Sequence, residues 1–76
     1  MANISLAFEP NSLLLFGWEV GEVTKLGTHF TKNRTKIYYD LDMETYTIQH
    51  EGHTLYNGKI PTHTFFKQLL KNIEVQ

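Results

Sequence analysis

With 76 residues, 41% of them hydrophobic and 13% aromatic, the chain has enough apolar content for one core and too little length for two, which excludes both a multidomain protein and a disordered polymer. It contains no cysteine, so disulfides, thiolate metal sites and cysteine nucleophiles are excluded. The formal net charge of −1 provides no bulk attraction to nucleic acid, and no window approaches the roughly 18 apolar residues of a membrane helix.

The first residues have neither the positive region nor the apolar run of a leader, and the expectation is a soluble, cytoplasmic protein with no membrane partner. The path of residues 1–12 is not assigned by any pattern. Leu13 to Val23 is β-compatible and contains two glycines, which predicts one strand, bent or bulged near Gly17 or Gly21. Leu13 to Phe16 would be apolar on both faces of such a strand. Two coverings for the second face are open: the segment around Leu6 and Phe8 folds over it, or a second copy of the chain does, giving a homodimer.

The next strand runs from Phe30 to Leu41 and pairs back onto the first through the "TKLGTH" region. Ile37, Tyr39 and Leu41 alternate with Tyr38 and Asp40, the period of a strand with one buried face. Three turns follow from local chemistry. "DMET", opened by Asp42, sets Leu41 opposite Tyr46 and Tyr39 opposite Ile48. Glu51-Gly52 sets His50 opposite His53 and Ile48 opposite Leu55. Asn57-Gly58, the strongest hairpin signal, sets Leu55 opposite Ile60. Together they gather Ile37, Tyr39, Leu41, Tyr46, Ile48, Leu55 and Ile60 on one face.

Pro61 ends the last strand, and Thr62 or Thr64 caps a helix running to about Ile73. Phe65, Phe66, Leu69, Leu70 and Ile73 form its apolar stripe. The predicted fold class is α+β, one domain over residues 1–76: an antiparallel β-meander of four to five strands packed on one C-terminal α-helix, in two layers.

No cofactor is implied. There is no GxSxG elbow, phosphate-binding glycine loop or HExxH, and the carboxylates fall on exposed strand positions, so a non-enzyme is expected. His50 and His53, facing each other across a hairpin with His63 at the helix start, are the weak candidates for a metal. Asp40, Asp42, Glu44 and Glu51 match four positions of a calcium loop, but Thr45 stands where that loop needs Gly.

Lys32, Arg34 and Lys36 alternate in one strand, with Phe30 and Tyr38 continuing the row. Cations for phosphate interleaved with rings for stacking make this a candidate surface for single-stranded nucleic acid; the ordinary reading is a solvated sheet face with Glu19 and Glu22 as charge partners. The leading expectation is a non-catalytic protein-binding module, a small regulator or inhibitor of the kind common among phage and mobile-element products, which occludes a partner surface. Its candidate contacts are Trp18, Tyr38, Tyr56, Leu14 and Phe16, the aromatics because such rings are enriched at interfaces.

Overall fold

The computed structural model describes residues 6–74. Five antiparallel strands lie side by side in sequence order: β1 (Glu19–Val23), β2 (Gly27–Lys32), β3 (Thr35–Asp40), β4 (Thr45–His50) and β5 (His53–Gly58). One helical turn, α1 (Ser12–Leu15), precedes the sheet, and α2 (His63–Glu74) follows it. The architecture is the expected two-layer α+β meander.

Alternation builds the inner layer. Val20, Phe30, Ile37, Ile48 and Tyr56 stand opposite one another across the five strands, and Phe30, Ile37 and Ile48 are fully buried. Phe66 of α2 and Leu13 of α1 reach them from above and are equally buried, while Leu69, Leu70 and Ile73 pack at the margin. Each large side chain removed from water here contributes about 1.5 to 3 kcal/mol. Thr62 is the helix cap, its Oγ1 accepting the Phe65 amide at 3.1 Å and satisfying one of the amides a helix start leaves free.

The turns depart from expectation in instructive ways. Asp40, not Asp42, organises the β3–β4 loop: its Oδ1 accepts the amides of Asp42 and Met43 at 3.0 and 3.1 Å. The register therefore pairs Tyr39 with Tyr46 and Ile37 with Ile48, two residues from the predicted one. A slip of two keeps every side chain on its face, so the core survives while Leu41 moves into the loop and is 60% exposed.

Glu51 and Gly52 both take positive φ, 51° and 86°, the type I′ geometry that sets His50 opposite His53. A bulge next to Ile48 then puts Tyr56, not Leu55, across from it. No hairpin forms at Asn57-Gly58. Both residues belong to β5, with Asn57 opposite Thr47 and Gly58 opposite Tyr46, because β4 is long enough to keep pairing through them. Gly58 is used for space: a Cβ there would lie 3.0 Å from the Tyr56 hydroxyl. Ile60 is buried all the same, but it arrives from the connection to α2, not from a strand.

Leu13 to Val23 is not one strand. Leu13 and Leu14 donate to the carbonyls of Pro10 and Asn11 at 3.1 Å, which winds Ser12–Leu15 into a helical turn, and Gly17 at φ 90° reverses the chain into β1. The expected bulge near Gly21 is present between Val20 and Val23. Of the two coverings, the N-terminal segment enters the core, although beside α2 and not on the opposite face. Phe8 is buried there, its amide donating to Pro61 O at 3.0 Å, and Leu6 O accepts the His63 amide at 2.9 Å.

Candidate partner interface

The residues expected to touch a partner do not share a surface. Trp18 is 5% exposed and belongs to the core, because the turn at Gly17 swings it inward. Phe16 lies half-buried against the Phe66 ring, 5.1 Å between centroids. Tyr56 packs on the core and donates its hydroxyl to Lys59 O at 2.6 Å. Leu14 is exposed on α1, and Tyr38 stands on the open side of the sheet.

The basic row is dispersed as well. The chain reverses at Asn33 and Arg34, so alternation counted from Phe30 to Tyr38 runs across a turn. Phe30 is buried in the inner layer, and Lys32 shares its side of β2, where Nζ donates to Phe16 O at 3.0 Å. Arg34 pairs with Glu51 at 3.1 Å. Only Lys36 and Tyr38 remain together on the open face, with the Tyr38 ring packed against His29, centroids 4.6 Å apart and planes tilted by 42°. Their neighbours there are Thr31, Thr47, Gln49 and Thr54, a solvated polar face. One cation contributes a salt-dependence slope of about one, too little to hold a phosphate backbone strongly.

The histidines also part. His50 faces His53, its Nδ1 2.9 Å from Thr35 Oγ1, whereas His63 packs on Phe8 and Phe16 with Nε2 2.9 Å from Ser12 Oγ. Among the described residues no cluster of three or more His, Asp or Glu side chains is placed to hold a metal. The four carboxylates of the rejected calcium loop are divided between the two ends of β4, about 20 Å apart.

A different surface stands out. β1 is an edge strand whose five residues are all exposed. Val20 and Val23 oppose Phe30 and Thr28 and so point to the inner side, yet among the described residues no layer lies over them: they are 48% and 67% exposed. Beside them the Leu41 amide donates to Leu26 O at 2.9 Å, which joins the β1–β2 and β3–β4 turns and brings exposed Leu26, Leu41 and Met43 to the same corner. Glu22, Asp42 and Glu44 are exposed in the same corner, outnumbering the exposed Lys25 of the β1–β2 turn. The sequence reading missed Val20, Val23, Leu26 and Met43 because single exposed aliphatic residues are ordinary on any surface; only the register reveals that they gather.

No protein-family model, curated protein or solved structure matches the chain.

Proposed function

We propose that the protein is a non-catalytic protein-binding module, a small regulator or inhibitor that docks a partner protein on the β1 edge and the apolar corner beside it. The observation that carries this reading is the pair Val20 and Val23, aimed at the inner layer from a strand edge that, among the described residues, is unpaired and left uncovered. An open edge offers a row of backbone donors and acceptors to an added strand, and uncovered aliphatic side chains provide the apolar contact that selects among strands. The carboxylates around the corner favour a partner segment with aliphatic residues flanked by Lys or Arg.

The test is affinity capture by the wild-type chain and by a Val23→Glu, Leu26→Glu double variant, with Lys36→Ala on the open face as control. A protein retained by wild type and by the Lys36 variant, and lost from the double variant, supports the reading. A partner captured equally by all three contradicts it.

A further inference from the structure

At the opposite end of the sheet, away from the β1–β2 turn, a partly open cavity of about 210 Å³ lies between the C-terminal half of α2 and the strands. Its apolar lining comes from Trp18, Leu55, Leu70 and Ile73, and Lys32, Thr35 and His50 add polar groups. We infer that this cavity is a binding site for a short-chain carboxylic acid, the alkyl chain lying among the apolar side chains and the carboxylate meeting the Lys32 ammonium.

Three observations support the assignment. The volume exceeds the roughly 150 Å³ of an apolar cavity that accepts benzene and falls short of the 300 Å³ or more typical of sites for larger ligands; a chain of about six carbons matches it. The charge is complementary to an acid. Arg34, on the neighbouring turn, is neutralised by Glu51, whereas Lys32 donates only to the uncharged Phe16 carbonyl and makes no ion pair among the described residues. A lysine without a counter-ion beside an apolar recess favours an anionic head over a neutral or cationic one. Trp18, finally, is deeply buried and its indole N–H has no acceptor among the described residues, an arrangement proteins seldom tolerate and one that leaves an unpaired donor on a residue of the cavity lining.

Because Trp18 is the only tryptophan, its indole N–H gives one isolated resonance in a ¹⁵N-correlated spectrum, at the wall of the cavity. Hexanoate is titrated into the labelled chain, with hexylammonium and 1-hexanol as probes of equal chain length. Hexanoate is expected to move the indole resonance saturably below about 10 mM, with hexylammonium weaker by about tenfold, and Lys32→Met is expected to weaken hexanoate by about tenfold while leaving 1-hexanol unchanged. Lys32 is exposed, so this variant keeps the fold. No saturable shift, equal response to hexanoate and hexylammonium, or an unaffected Lys32→Met variant would each overturn the assignment.

Discussion

The rings of Phe8 and Phe66 pack with centroids 4.6 Å apart, which fastens the segment before α1 onto the first turn of α2. Phe8 also meets Tyr46 edge-on at 5.3 Å, so one residue near the start of the chain ties the helix to the sheet. Phe8→Ala is expected to lower unfolding free energy by about 3 kcal/mol or more, a large share of the 5 to 15 kcal/mol typical of a domain. Leu6→Ala, at a side chain 67% exposed, is expected to change it by less than about 0.5 kcal/mol. Urea unfolding of the two variants makes the comparison, and equal midpoints would show that Phe8 is not part of the core.

Gly27 begins β2 opposite Asp40, and a Cβ there would overlap the Tyr39 carbonyl oxygen and lie 2.9 Å from the Tyr38 ring. Neither neighbour can withdraw cheaply, because one is ladder backbone and the other is packed against His29. Gly27→Ala is therefore expected to cost about 3 kcal/mol or more. Gly21→Ala serves as the control, since its nearest neighbour would be the His29 carbonyl at 3.3 Å, and the smaller loss should appear in the same thermal melts.

Burial, followed by the proximity of Tyr39 and Glu9, pushes the Tyr46 phenol above its ordinary value of 10.0. The folded chain thus holds a proton that the unfolded chain releases above about pH 10. That stability is complete below pH 10 and is lost as pH rises beyond it. Tyr39 is raised in the same direction, first by burial and then by Glu44 and Asp40. Denaturant midpoints should be level from neutral pH to about pH 9 and fall by pH 11, and Tyr46→Phe should reduce that fall while changing little at neutral pH.

The meander, its helix and its inner face were legible in the sequence because they rest on periodicity, which survives local errors. The β3–β4 loop illustrates this: moving the turn from Asp42 to Asp40 shifts the register by an even number of residues, and Tyr39, Tyr46 and Ile48 stay inside. Turn chemistry was less decisive. Asn57-Gly58 carries the stronger local signal, but it is Glu51-Gly52 that falls where β4 ends; the Asn57-Gly58 signal is overridden by strand pairing that no short window contains. The candidate surface was least legible. The row from Phe30 to Tyr38 rests on alternation counted through Asn33, at positive φ, where the count restarts, whereas Trp18 rests on residue type alone, which does not register the turn at Gly17 that carries it into the core. Val20 and Val23 become notable only once α2 is known to leave them bare.

The most direct measurement of the proposed function is site-specific photo-cross-linking with the reactive residue placed at Val23 or, as the control, at Thr47 on the open face of the sheet. A partner docked on the β1 edge is expected to cross-link from position 23 and not from position 47. Cross-linking from position 47 alone, or no cross-linked protein from position 23, would contradict the account.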